Sequence, residues 1–138
     1  MPEKPIQKEF IELVKNGKEP IVAFLGTKLL DIGPGYAKVK MTIKPEHLNF
    51  YGVAFGGIVM SLADKAFGYA VNSLNYPSLA IQFTTYFLSS ARAGDELTAE
   101  ARVIKSGRRL SMAEVTVINQ NGELVATANG TDLSVAKA

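Results

Sequence analysis

One short stretch of the chain holds most of the residues whose types are suited to chemistry. Residues 46–67 read EHLNFYGVAFGGIVMSLADKAF and include His47, the only histidine of the protein. Two adjacent glycines, Gly56 and Gly57, stand where an apolar helical pattern begins, and a lone carboxylate, Asp64, follows two turns later. A helix start and an acid of this kind are suited to polarising a carbonyl group and activating a water molecule.

The glycine pair would place unpaired backbone amides at a helix start. The first turn of a helix carries N–H groups without partners and about half a positive charge, so it attracts anions and developing oxyanions. Glycine lets a ligand approach this backbone because no Cβ stands in the way. Loss of one such oxyanion donor costs about 3–4 kcal/mol of barrier. The alternative, that Gly56 and Gly57 only shape the helix entry or permit tight packing, stays open at this point.

Asp64 is an unusual residue for the middle of an apolar helix, where it must meet water, a partner or a function. It can deprotonate a water molecule or attack as a nucleophile; the alternative is a solvated carboxylate paired with a basic side chain. Gly56 lies eight residues earlier, about 12 Å along a helix, so one carbonyl cannot reach both groups of one chain. If the two cooperate, we expect an obligate dimer with antiparallel helices and two shared sites.

Three further features are candidates for binding. The amide of Asn49 can brace water or a carbonyl, or it can serve as a turn residue. His47 can act as an acid or base, or be structural. The basic turn KSGRRL can hold phosphates such as those of coenzyme A, although a solvated turn is an equal alternative; its candidate residues are Ser106, Gly107, Arg108 and Arg109. Metal-ligand spacing, P-loops and GxGxxG are absent from the sequence.

Composition narrows the class of protein. The 138 residues suit one domain and include no cysteine, which excludes a disulfide scaffold, a thiol nucleophile and a cysteine-based metal site. The net charge of +2 argues against nucleic acid as the main partner. The longest uncharged run, residues 48–63, is too short and too rich in glycine to span a membrane, and the N-terminus does not resemble a signal peptide. We therefore expect a soluble, cytoplasmic domain.

The periodicity of apolar residues predicts the elements that position these candidates. An amphipathic helix is predicted within residues 1–18, a short helix over 20–26, and a long apolar helix from residue 55 or 56 to about 74. Alternation predicts strands over 27–32, 36–43, 79–88, 96–105, 110–119 and 123–135. The class is α+β, with one long helix embedded in a meander-like antiparallel sheet. One polar stripe on that helix is either solvent-exposed or the lining of a site: Ser61, Asp64 or Lys65, Gly68 and Asn72.

The stretch HLNFYGVAFGGIVMSLADKAFGYAVNS resembles the hotdog-fold acyl-CoA thioesterases of the phenylacetate-degradation (PaaI-like) group, and the resemblance extends over nearly the whole chain. The family pattern is Asn, Gly three residues later, His-Gly-Gly, and a catalytic Asp seven residues after the second of these glycines. The matching residues are Asn49, Gly52, Gly56, Gly57 and Asp64. The sequence departs from the pattern at Phe55, where the family has His, and a strand position that is often polar in relatives falls at Ala80.

The resemblance implies a single hotdog domain over residues 1–138, in which a sheet wraps a central helix, and a homodimer that is often doubled into a homotetramer. It implies catalysis at the dimer interface. There the Gly56 amide would polarise the thioester carbonyl, Asp64 of the neighbouring subunit would activate water or attack directly, and Asn49 would help to position the reacting groups. Substrate contacts are expected from the basic turn and from Gly52, His47, Phe55 and Gly57.

The predicted function is therefore hydrolysis of acyl-CoA to a free acid and coenzyme A, with no metal or redox cofactor and with coenzyme A as part of the substrate. One alternative is a non-catalytic acyl-CoA-binding or regulatory protein, which Phe55 favours. A second is a hydratase or dehydratase on the same fold, a chemistry that normally uses His paired with Asp or Glu.

Overall fold

A six-stranded antiparallel sheet curves around one long helix in the computed structural model, which describes residues 4–135. Residues 1–3 of the predicted N-terminal helical extension lie outside the described part. The helices are α1 (Lys8–Asn16), α2 (Pro20–Leu25) and α3 (Gly56–Asn72). The strands are β1 (Lys28–Gly33), β2 (Tyr36–Thr42), β3 (Ser78–Phe87), β4 (Glu96–Ser106), β5 (Leu110–Ile118) and β6 (Leu124–Ser134).

The core lies between α3 and the concave face of the sheet. Strand β5 shows why, because buried and exposed residues alternate strictly along it, and Ala113, Val115 and Val117 face inward. Strands β2 and β4 contribute further small and branched side chains that pack against α3. Phe67 is fully buried in the middle of α3, and its ring lies 5.2 Å from that of Phe83. The helix is therefore held by the sheet, and the orientation of its polar stripe is fixed.

The predicted elements are present with boundaries shifted by only a few residues. The short helix α2 begins at Pro20, a favoured first helical position, and ends before Gly26, whose φ of +77° is left-handed. Helix α1 spans the middle of the predicted N-terminal helix. No helix in residues 4–135 is long and apolar enough to cross a membrane.

The strand order differs from a simple meander. It runs β1-β2-β4-β5-β6-β3, so β2 pairs with β4 while β3 lies at the far edge beside β6. The reason is that α3 carries the chain across the sheet before β3 begins. One edge of the sheet is thereby formed by β3, where four large apolar side chains of the strand, and that of the residue after it, are more than half exposed: Leu79, Ile81, Tyr86, Phe87 and Leu88.

Candidate functional site

A cavity of about 1250 Å³ lies between α3 and the two N-terminal helices. The start of β3 contributes Leu79 and Ala80 to its wall, and β6 contributes Asp132. The polar stripe of α3 also lines this cavity: Ser61, Asp64, Lys65, Gly68 and Asn72. The sequence allowed two interpretations of this polar stripe, as a solvent-exposed strip or as the lining of a site. In the structure it forms part of a concave surface that carries both apolar and ionisable groups.

Asp64 lies in this cavity without a hydrogen bond or ion pair to any other described residue. Lys65, the basic residue beside it, forms an ion pair with Glu19 instead, and Tyr69 Oη also donates to Glu19 at 3.1 Å. The carboxylate is reached by water through the open cavity, yet the surrounding walls desolvate it and raise its pKa above the usual value, an effect that the charge of Lys65 opposes. Asp64 is therefore available as a base.

The start of α3 lies at a second, smaller cavity of about 310 Å³. Neither Gly56 N–H nor Gly57 N–H has an acceptor within residues 4–135. A β-carbon added at Gly56 would lie 3.2 Å from Phe87 Cζ, and one added at Gly57 would lie 2.7 Å from Phe55 Cε2. The glycines therefore leave two amides unpaired and also allow two aromatic rings to pack against the helix start.

The loop before α3 uses its own polar groups to hold its shape. Asn49 Oδ1 accepts hydrogen bonds from Tyr51 N–H (2.9 Å) and Val53 N–H (3.4 Å), while Asn49 Nδ2 donates to no group of residues 4–135. Gly52 donates its N–H to Asn49 O at 3.1 Å and has a left-handed φ of +75°. The predicted catalytic role of Asn49 and the predicted substrate contact of Gly52 stay predictions.

His47 is built into the same loop. Its side chain is buried, its Nδ1 accepts a hydrogen bond from Lys44 N–H at 3.0 Å, and its carbonyl accepts one from Phe55 N–H at 2.8 Å. These bonds fix the chain immediately before α3, so the structure gives His47 a positional role. Its contact with substrate stays a prediction, as does that of Phe55, whose side chain is largely exposed.

Hydrogen bonds from Lys4 and Asn75 hold the basic turn between β4 and β5 in place. Lys4 Nζ donates to Ser106 Oγ (2.9 Å) and to Gly107 O (2.6 Å), and Asn75 Nδ2 also donates to Gly107 O. Arg108 and Arg109 are exposed and form no ion pair with the rest of residues 4–135. Their guanidinium groups are therefore available to an anion.

Within one protomer, Asp64 and the Gly56 amide, which the sequence analysis expects to cooperate, line different cavities. Asp64 lines the larger cavity, whereas Gly56 lines the smaller one with Phe87 and Leu88. Eight residues of α3 separate them, about 12 Å along the axis. One protomer therefore does not place both groups around a single carbonyl.

Asp132 is a residue of this site that the sequence reasoning missed. Only 2% of it is exposed, its Oδ1 has no hydrogen-bond partner in the described structure, and it lines the same cavity as Asp64. Burial and, as a smaller cause, the negative charge of Asp64 together raise its pKa to about 6. The signal in the sequence was an acid on the buried phase of β6, where Ala126, Ala128 and Gly130 precede it at alternate positions.

We expect Asp132→Asn to become increasingly stabilising, relative to the wild type, as the pH rises. Because the pKa of Asp132 is raised from 3.8 to about 6 in the folded state, its contribution to stability is present below about pH 4 and is lost as the pH passes 6. The difference in free energy of unfolding between variant and wild type should grow by up to about 3 kcal/mol between pH 4 and pH 7.5.

Urea unfolding at fixed protein concentration would measure this difference. Asp31→Asn, the same substitution at an exposed aspartate of β1, is the matched control and should show no comparable trend. A stability difference for Asp132→Asn that does not change with pH would contradict the prediction.

Comparisons with known proteins agree on one family. The sequence model of the thioesterase superfamily matches residues 51–126, more than half of the chain. The acyl-coenzyme A thioesterase PaaI of Escherichia coli K12 is 37% identical over 106 residues, which cover 77% of this chain and 76% of that protein. The solved structure of E. coli PaaI, from the phenylacetic acid degradation operon, superposes with a TM-score of 0.88 at 30% identity and covers 95% of this chain and 94% of that one.

A second solved structure is similar and contains a ligand. A Streptococcus mutans UA159 protein bound to acetyl CoA superposes with a TM-score of 0.81 at 29% identity, covering 88% of this chain and 98% of its own.

Proposed function

Since this chain belongs to the thioesterase superfamily, in its PaaI-like hotdog-fold group, and is a thioester hydrolase, we propose that it cleaves acyl-CoA at a site shared between two protomers. The observation that supports this proposal is the environment of Asp64. This carboxyl group has no partner among the described residues, and it lies in a cavity whose walls raise its pKa. A carboxylate whose pKa is raised is a stronger base, and we propose that it activates water.

The chemical steps need only the substrate, water and this chain. Asp64 takes a proton from water, and the hydroxide forms a bond to the thioester carbonyl carbon. The unpaired amide of Gly56 then stabilises the oxyanion. Collapse of this intermediate breaks the C–S bond, and the thiolate of coenzyme A takes the proton that Asp64 holds. The products are a carboxylic acid and free coenzyme A, and no cofactor is part of the proposal.

The edge strand supports a shared site. Gly56 lies against Phe87 at the end of β3, whereas the Asp64 cavity is lined by Leu79 and Ala80 at its beginning. When two copies of an edge strand pair antiparallel about a two-fold axis, the end of one lies beside the beginning of the other. Pairing of β3 with itself would therefore bring the Gly56 amide of one protomer toward Asp64 of its partner. It would also cover the exposed apolar edge.

A homotetramer would use a different surface. Strand β5 exposes Leu110, Met112 and Ile118 on the face of the sheet that points away from α3, and Ile104 of β4 is exposed as well. Apolar groups in this position support the packing of two dimers back to back.

The cytoplasmic location stays a prediction from the sequence.

The basic turn lies at the Asp64 end of the sheet. Leu110, the first residue after the turn, pairs with Leu133, which in turn pairs with Leu79 at the start of β3. Phosphates of a coenzyme A whose thioester is close to Asp64 are therefore proposed to bind Arg108 and Arg109.

We expect the double substitution Arg108→Ala/Arg109→Ala to raise KM for acyl-CoA about tenfold, because charge-assisted hydrogen bonds to phosphate are lost. The kcat should change little, since the turn does not contact the reacting atoms. The measurement is thiol release with acyl-CoA and with the N-acetylcysteamine thioester of the same acid, which has no phosphate. Lys8→Ala/Lys15→Ala removes the same charge from exposed positions of α1 and serves as the control. An equal loss with both substrates would argue against phosphate binding at the turn.

Thiol release over a panel of short, long and aromatic acyl-CoA thioesters tests the function itself. Turnover of at least one class supports the proposal. Binding of acyl-CoA without hydrolysis of any member would contradict it, and it would favour the acyl-CoA-binding alternative that Phe55 suggests.

A further inference from the structure

The Asp64 cavity contains a second carboxyl group that the proposed mechanism does not use. Asp132 lies on β6 between Ser111 of β5 and Ala80 of β3, as the strand pairing shows. Burial leaves its Oδ1 without a hydrogen-bond partner in the described structure. An unpaired buried polar atom costs free energy comparable to a lost hydrogen bond, so its presence in a cavity wall points to a function.

Small residues keep the space around the two acids open. Ala80, which pairs with Asp132, has only a methyl group, and Gly68, one turn after Asp64 on α3, has no side chain. A β-carbon added at Gly68 would have no neighbour within 4 Å. Water or substrate can therefore occupy the region into which both carboxyl groups are placed.

No cation of the described residues neutralises this pair. The ionisable groups that face the cavity are Asp64, Lys65 and Tyr69 on α3, Asp132 on β6, Lys28 on β1, and Lys18 and Glu19 before α2. Lys65 and Tyr69 are both bound to Glu19, and neither acid is hydrogen-bonded or ion-paired to Lys18 or Lys28. Two carboxyl groups that line one cavity with no neutralising cation cannot both ionise without repulsion.

We propose that Asp132 is a positioning residue for Asp64, and that the two carboxyl groups titrate as a coupled pair in which Asp64 ionises first and Asp132 keeps its proton to a higher pH. This inference rests on the proposed role of Asp64 as the base. Asp132 neither gains nor loses a proton over the catalytic cycle, because the proton that Asp64 takes from water leaves with the thiolate. Its effect is to set the order of ionisation, so that below about pH 6 the carboxylate lies on α3 and the neutral acid on β6.

The electrostatic basis is the mutual effect of the two charges. The negative charge of Asp64 is, after burial, the second cause of the raised pKa of Asp132, which is about 6. Coupling of this kind is reciprocal, so the ionisation of Asp132 must also change the proton affinity of Asp64. An Asp132 too distant from Asp64 for such coupling would not respond to the charge at position 64.

Carbon-13 NMR titration of aspartate carboxyl groups tests the coupling without any substrate. The Asp132 signal is assigned by its loss in Asp132→Asn, and its midpoint is then compared between the wild type and Asp64→Asn. We expect the midpoint to fall by roughly one pKa unit in Asp64→Asn, because a like charge that lines the same cavity as the buried Asp132 is removed. Asp31→Asn, which removes an exposed charge on β1, should leave it unchanged. An Asp132 midpoint that is the same in the wild type and Asp64→Asn would overturn the proposal.

A kinetic experiment separates positioning from support of the fold. The ratio of kcat/KM for Asp132→Asn to that of the wild type should change several-fold between pH 5 and pH 8, with a midpoint close to that of the Asp132 titration. A ratio that is reduced equally at every pH would indicate a structural role and would contradict the proposal.

The two experiments also separate this inference from the proposed function. If Asp64→Asn hydrolyses acyl-CoA as fast as the wild type, the proposed role of Asp64 fails, whatever the NMR titration shows. If Asp64→Asn is inactive but the Asp132 midpoint does not move, the proposed function stands and the pairing fails.

Discussion

Asp64→Asn is expected to lower kcat for acyl-CoA hydrolysis about a thousandfold, because asparagine is close in shape to aspartate but cannot accept the proton of the attacking water. The KM should change little, since the carboxylate acts on water and not on the bound thioester. The substituted side chain lies in an open cavity and has no partner among residues 4–135, so the fold should be unaffected. Thiol release at saturating acyl-CoA and equal enzyme concentration measures the effect.

Two controls make this experiment decisive. Asp31→Asn carries the same substitution at an exposed site on β1 and should keep wild-type kcat. Asp64→Ala should be as slow as Asp64→Asn if the carboxylate is the base. Turnover by both Asp64 variants within threefold of the wild type would remove this residue from the mechanism.

Two inactive variants are expected to restore activity when their protomers are mixed. Gly56→Pro removes the proposed oxyanion donor, and the chain can accept it because Phe55 has φ −58° and ψ 133° and proline is favoured at the first helical position. This variant should lose about 10²–10³ in kcat. A heterodimer with Asp64→Asn would contain one doubly defective site and one intact site. Random mixing should therefore recover about a quarter of wild-type activity.

The matched control for the helix start is Gly56→Ala, which also adds a β-carbon near Phe87 but keeps the N–H. It should retain most activity, whereas Gly56→Pro should not. Subunits are mixed by co-expression with two affinity tags, and a mixture of Asp64→Asn with Asp64→Ala controls for incomplete exchange. If the Asp64→Asn and Gly56→Pro mixture is no more active than its parents, the site is not shared between protomers.

Much of this architecture is readable from the sequence because its signals are local. Alternation along β2 and β5 and the apolar pattern of α3 reflect burial against one neighbour, and Pro20 and Gly26 mark helix ends through backbone chemistry. Asp64 was recognisable as an acid in an apolar helix. That it lacks a partner in the described structure was not, because the competing attraction of Lys65 for Glu19 depends on how α2 packs.

The features that the sequence did not reveal depend on contacts between distant segments. The place of β3 beside β6 follows from the path of α3 across the sheet, and no short-range pattern encodes it. Asp132 was missed for the same reason, since its importance depends on its register opposite Ala80 and on the position of Asp64. The hydrogen bond from Lys44 N–H to His47 Nδ1 likewise forms only in the folded loop, so the sequence did not reveal it.

The two cavities at opposite ends of β3 have a consequence for how this protein works in the cell. If each functional site needs the beginning of one strand and the end of another, a newly made chain has no activity until it meets a second copy. Below the dissociation constant, the output then rises with the square of the protein's abundance, so a twofold change in synthesis changes the activity about fourfold.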